Sequence, residues 1–108
     1  MFVFELESAK DFTYFIDQEK LTLVNFYERS TKCLDFMPIF EDLARDFAGT
    51  VELGIVNVAQ NRETHMISAE FEIETFPTFI FYKNGQIVDK IEGSDLRKLV
   101  NAIQEYGQ

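Results

Sequence analysis

The stretch Leu21–Pro38, LTLVNFYERSTKCLDFMP, decides how the rest of the chain is read. Leu21, Leu23, Val24 and Phe26 form a nearly continuous apolar run, the pattern of a strand buried on both faces. Glu28-Arg29-Ser30 interrupts it as a polar turn, and Phe36, Phe40, Leu43 and Phe47 then recur at helical spacing. The spacing predicts a helix from Thr31 to Phe47, closed by Gly49. Pro38 lies inside it, where a proline removes a backbone hydrogen bond and is expected to kink the axis. The only cysteine of the chain, Cys33, falls in the first turn. Backbone N–H groups there lack intrahelical partners and the helix dipole favours negative charge, so the position suits the thiolate, the reactive form of a thiol.

Working outward from this stretch, Phe2–Leu6 alternates apolar and polar as a short strand does. Ser8 is placed to cap a helix over Ala9–Gln18, whose apolar face is Phe12, Phe15 and Ile16. Beyond the long helix, Val51, Leu53, Ile55 and Val56 predict a third buried strand ending near Val58, and Asn61 can cap a helix from Arg62 to Phe71. Glu74-Thr75-Phe76-Pro77-Thr78 breaks the pattern. Phe79–Tyr82 is a strand, Asn84-Gly85 signals a tight hairpin, and Ile87, Val88 and Ile91 form the return strand ended by Gly93. Leu96, Leu99, Val100 and Ile103 mark a final amphipathic helix. The predicted order is β-α-β-α-β-α-β-β-α, an α/β fold. Crossover helices between the first three strands favour parallel neighbours, and the last two strands form an antiparallel hairpin, so a mixed central sheet with helices on both faces is expected.

The 108 residues suffice for one domain, 1–108, around one core, and twelve phenylalanines with no tryptophan indicate what that core is made of. A net charge of −9 disfavours nucleic acid and an anionic membrane surface, and leaves neutral or basic partners or simple solubility as its role. A single cysteine forms no internal disulfide. Met1–Phe4 is apolar but is followed at once by Glu5 and Glu7, unlike a secretory leader, and no apolar run approaches the roughly 20 residues that span a bilayer. These features suggest a reducing, cytoplasmic location.

Several short motifs, in order, resemble the thioredoxin family over nearly the whole chain. LVNFY at Leu23–Tyr27 resembles the strand leading into the family's active site. Pro38, five residues after Cys33, matches the helix proline that follows the family's second cysteine. Phe76-Pro77-Thr78, followed by an apolar strand and Lys83-Asn84-Gly85, resembles the cis-proline loop and hairpin, and Gly93 matches a glycine of the substrate-facing surface. The resemblance implies a thioredoxin fold, a cis bond before Pro77 and a surface at Phe76, Pro77, Thr78 and Gly93 that holds an extended partner. A plain trans proline opening a strand is the alternative for Pro77.

The departures bear directly on function. The family's Cys-x-x-Cys reads here Ser30-Thr31-Lys32-Cys33: the second cysteine is kept and the first is serine. Arg29 stands at the preceding tryptophan position, and the loop before it is one residue short. The family's buried aspartate falls at Asn25, and its lysine partner falls near Ile55. About three extra residues lengthen the stretch from Asn57 to Phe71. Dithiol reduction needs one thiolate to attack and a second thiol to resolve the mixed disulfide, and this chain holds one sulfhydryl. The Ser30 hydroxyl is far less acidic and has no visible base to activate it.

Cys33 could still exchange alone, with Lys32 and Arg29 as cations that favour its thiolate and Ser30 as a hydrogen-bond donor to it or as the helix cap. The products would be a mixed disulfide with a client protein or glutathione, a sulfenic acid, or a Cys33-linked homodimer of an otherwise monomeric protein. An inert, half-buried cysteine is the competing reading. His65 has no companion at metal-ligand spacing, Glu41 and Asp42 read as a solvated face, and Glu72 and Glu74 beside the proline loop either favour basic clients or add solubility. No cofactor is implied. Two functions are therefore carried forward: thiol–disulfide redox homeostasis through Cys33 alone, or a redox-inactive module that binds a partner through the proline surface.

Overall fold

The computed structural model describes residues 2–107. Its elements run β1 (Val3–Glu5), α1 (Ala9–Ile16), β2 (Leu21–Tyr27), α2 (Thr31–Asp46), β3 (Val51–Asn57), α3 (Arg62–Glu70), β4 (Thr78–Lys83), β5 (Gln86–Glu92) and α4 (Leu96–Tyr106). The five strands form one mixed sheet in the order β1-β3-β2-β4-β5. β3 runs parallel to both β1 and β2, while β4 runs antiparallel to β2 and β5. The expected α/β architecture is thus the observed one. The central place of β2 explains its uninterrupted apolar run, since Leu21 through Phe26 are all buried.

The pleat of β2 divides the core. Leu21 and Leu23 face a cluster built with Phe36, Phe40 and Leu43 of α2 and with Leu99 and Ile103 of α4. Val24 and Phe26 face the opposite cluster, with Phe12, Phe15 and Ile16 of α1 and Ile67 of α3. Phe79, Phe36 and Phe40 form an aromatic contact on the first face, with Phe79 5.4 Å from Phe36 and 5.7 Å from Phe40 between ring centroids. Two-sided burial of a five-stranded sheet by four helices accounts for the large share of phenylalanine.

Local sequence chemistry places the helix ends. Ser8, Ser30, Asn61 and Asp95 each accept a hydrogen bond from the backbone N–H three residues on. Helix α2 continues through Pro38, whose missing N–H leaves the Leu34 carbonyl without its helical donor. Helix α1 stops at Ile16, two residues before its expected end at Gln18. The hairpin turn explains this: Asn84 N donates to the Gln18 carbonyl (2.8 Å) and Gly85 N to that of Ile16 (2.9 Å). Asn84 (φ +52°) and Gly85 (φ +78°) are left-handed, as the expected tight turn requires.

Tyr82 is fully buried in the α1/α3 face, edge-on to Phe12 at 5.7 Å, and its hydroxyl has no hydrogen-bond partner among the described residues. Burial foremost, and the Glu70 carboxylate next, push its phenol well above the ordinary value. The unfolded phenol titrates near about 10, so above that pH the unfolded chain loses a proton that the folded chain keeps. Stability is therefore whole below about pH 10 and falls as pH rises, by about 1.4 kcal/mol per pH unit from this group. Tyr82→Phe should remove that part of the alkaline loss and raise stability by about 1 kcal/mol at neutral pH, read as a higher urea midpoint. An unchanged or lower midpoint would contradict an unsatisfied hydroxyl.

Candidate functional site

The proline loop and the start of α2 meet at one end of the sheet. In register, Phe26 of β2 lies opposite Thr78 of β4, and Thr78 lies opposite Glu92 of β5. The chain leaves β2 at Tyr27, turns through Glu28 and Arg29, and enters α2 at Thr31. Ser30, Cys33, Pro77 and Gly93 therefore sit around the same ends of three adjacent strands.

At the helix entrance, the Ser30 hydroxyl accepts from Cys33 N at 3.3 Å, so this side chain caps α2. Cys33 is 1% exposed and belongs to the buried face of α2, one turn before Phe36. Its neighbours Thr31, Lys32 and Leu34 are exposed, and the residue lies in the first turn of α2. The side chains of Arg29 and Lys32 are exposed and form no hydrogen bond or ion pair among the described residues.

Tyr27, which the sequence did not single out, joins this group. Its phenol is pushed up first by burial and then by the Glu5 carboxylate, with Arg29 opposing and the Cys33 sulfur adding to the rise. The signal available in the sequence was the pleat: Tyr27 shares a strand face with Asn25 and Leu23, and that face lies under α2.

Asn25 lies below the start of α2, between Ile55 on β3 and Phe79 on β4. It is 1% exposed, and neither its amide nitrogen nor its oxygen has a hydrogen-bond partner among the described residues. Such a group is costly. The position is buried polar, as the motif comparison implied, but carries no ionisable group, and its neighbour Ile55 offers no cation.

The Phe76–Pro77 peptide bond is cis. Pro77 and Thr78 are buried and Phe76 is half-buried. The Thr78 hydroxyl donates to the Thr75 carbonyl, and Gly93 N donates to the Pro77 carbonyl at 2.9 Å. Gly93 holds φ +91°, a left-handed conformation suited to glycine. Thr78 and Gly93 thus fasten the loop from its two sides. The N–H and C=O of Phe76 form no hydrogen bond among the described residues, which leaves a free donor and acceptor at the strand's entrance.

His65, Glu41 and Asp42 are exposed on their helices, and no group of histidine, cysteine or acidic residues that could hold a metal ion occurs among the described residues. No helix among them is long and apolar enough to cross a membrane.

The family model described as Thioredoxin matches residues 3–105. The chain belongs to the thioredoxin family. Thioredoxin H4 of Arabidopsis thaliana is 31% identical over 103 residues, covering 94% of this chain and 79% of that protein. The thioredoxin of Malassezia sympodialis is 29% identical over 102 residues, covering 94% of this chain and 95% of that one. The solved thioredoxin of Fasciola hepatica superposes with a TM-score of 0.87 at 29% identity, over 95% of this chain and 98% of that chain. On this thioredoxin-family scaffold the site holds one sulfur, a serine cap and a neutral amide.

Proposed function

We propose that this protein serves thiol–disulfide redox homeostasis by single exchange at Cys33, on clients held as extended segments at the proline loop. The observation that carries the reading is a lone sulfhydryl, buried in the first turn of α2, at the same end of the sheet as a proline loop whose Phe76 backbone is unpaired among the described residues. A client strand would pair with Phe76 N–H and C=O beside Pro77 and Gly93. Thr78 holds that loop in shape, and Ser30 caps the turn that shelters the sulfur. Arg29 and Lys32 stand exposed at the entrance, where a client's acidic groups would meet them.

The exchange balances with one protein thiol. The Cys33 thiolate attacks a client disulfide or glutathione disulfide, one S–S bond breaks as another forms, and a thiolate leaves. Reduced glutathione, or a thiol of the client, then attacks the mixed disulfide and returns Cys33 as a thiol. The second thiol comes from outside, so the chain is not a complete dithiol reductase and needs no cofactor of its own. A reducing, cytoplasmic setting supplies glutathione. The deep position of the sulfur supports a monomer over a Cys33-linked homodimer, since two buried sulfurs cannot reach bonding distance without opening both helices.

Insulin-disulfide reduction with dithiothreitol tests the lack of a dithiol cycle. The rate with this protein should match dithiothreitol alone, whereas turnover like that of an intact two-thiol reductant would overturn single exchange. The 1% exposure of Cys33 favours a second reading, a partner-binding module without exchange. Capture of a client on immobilised protein separates the two. Under that second reading, Phe76→Pro and Gly93→Val abolish capture and Cys33→Ser leaves it intact. Under the redox reading, Cys33→Ser also removes the covalent, reductant-released fraction.

A further inference from the structure

The sheet carries another feature suited to binding, at the edge farthest from the hairpin. β1 is the outermost strand and pairs only with β3. Leu6 N donates to the Ile55 carbonyl at 2.9 Å, which sets the alternation along β1. Phe4 and Leu6 turn their backbone groups toward β3, and Val3 and Glu5 turn theirs to the open edge. An open edge is a template for a further strand.

Beside this edge lies a groove of about 900 Å³ between β1 and α1. Gly54, the register partner of Phe4, makes room for its floor: a Cβ there would stand 3.0 Å from both Leu6 Cδ1 and Phe15 Cε2. Phe15 therefore lies directly on the sheet and packs against Phe4, with ring centroids 5.7 Å apart. Phe4 nevertheless stays 46% exposed, and Tyr14 on the helical wall is 83% exposed. The remaining wall is acidic. Asp11, whose carboxylate accepts from Glu7 N, and Asp17 line it without ion-pair partners among the described residues, against the single lysine Lys10, while Glu5 holds its carboxylate on the other face of β1, toward Tyr27. Glu52, also in the lining, is already paired with Lys20 at 3.1 Å.

We propose that this edge docks an extended basic segment of another protein, which adds a strand to β1 and lays an aromatic or aliphatic side chain between Phe4 and Tyr14. The open backbone groups supply pairing, the aromatic wall supplies an anchor, and the carboxylates of Asp11 and Asp17 in the groove, with that of Glu5 on the other face of the added strand, select lysine and arginine. A second copy of this chain is the wrong occupant on charge: each copy carries −9 and would bring the same acidic wall.

Fluorescence anisotropy with a short labelled peptide alternating lysine with phenylalanine and valine tests this, beside the same peptide with glutamate for lysine. The lysine peptide should bind the full chain, weaken with added salt, and exceed the glutamate peptide by about tenfold or more. Tyr14→Ala, at an exposed position, should lose about tenfold. Glu5→Pro removes an outward N–H on an edge strand, where proline is tolerated, and should lose more than Glu5→Gln, which removes only the charge. Circular dichroism of each variant confirms that the fold is kept. Equal binding of both peptides, no binding of either, or wild-type affinity in folded Tyr14→Ala and Glu5→Pro overturns the proposal. A dimer in sedimentation that Glu5→Pro dissociates overturns it in favour of a second copy.

Discussion

In the native protein Cys33 should react with iodoacetamide about a hundredfold more slowly than in the unfolded chain, and low urea should barely change that rate. The sulfur is 1% exposed, so reaction requires an opening, but the opening needed is one helical turn at a terminus. Terminal turns open at a small fraction of the global cost, and about 3 kcal/mol corresponds to the stated factor. The Ser30 cap holds that turn through a hydrogen bond of 3.3 Å. Ser30→Ala should therefore speed the reaction about fivefold, in line with a cap worth about 1 kcal/mol. A rate that instead rises with urea in step with global unfolding would mean that the thiol is released only by denaturation. That outcome removes the exchange reading and leaves partner binding.

Asn25→Asp should destabilise the fold by about 3 kcal/mol at neutral pH while costing little below about pH 4. The substituted carboxyl would occupy a 1% exposed position with no donor or cation beside it, and burial raises a carboxyl's pKa. The folded variant would then keep its proton where the unfolded chain has lost one, so the added cost is absent below the unfolded value and grows as pH rises, by about 1.4 kcal/mol per unit. Ile55 is the register neighbour of Asn25, and adding Ile55→Lys should return part of the loss. Urea midpoints across pH measure both. Equal stability of Asn25→Asp and the parent at pH 7 would show that a charge partner already reaches this position.

Much of the architecture was legible because its determinants are local. The apolar run of β2, the cap residues Ser8, Ser30 and Asn61, and Asn84-Gly85 each act within a few residues, and the elements start or turn where they predict. The end of α1 was not, because the carbonyls of Ile16 and Gln18 are satisfied by Gly85 and Asn84, far along the chain. The motif positions of the site were legible by likeness to the thioredoxin family. The depth of Cys33 was not, since it depends on how α2 settles over β2 and β4. The pairing state of Asn25 was equally hidden, because an orphaned amide is defined by which neighbours fail to reach it. Nor could composition show that Gly54 seats Phe15 against the sheet and so opens the groove beside β1.

Intact mass of the folded, purified protein after incubation with glutathione disulfide tests single exchange most directly. The account predicts one glutathione adduct, placed on Cys33 by peptide mapping, absent from Cys33→Ser and released by added reduced glutathione. No adduct until the chain is denatured would contradict it.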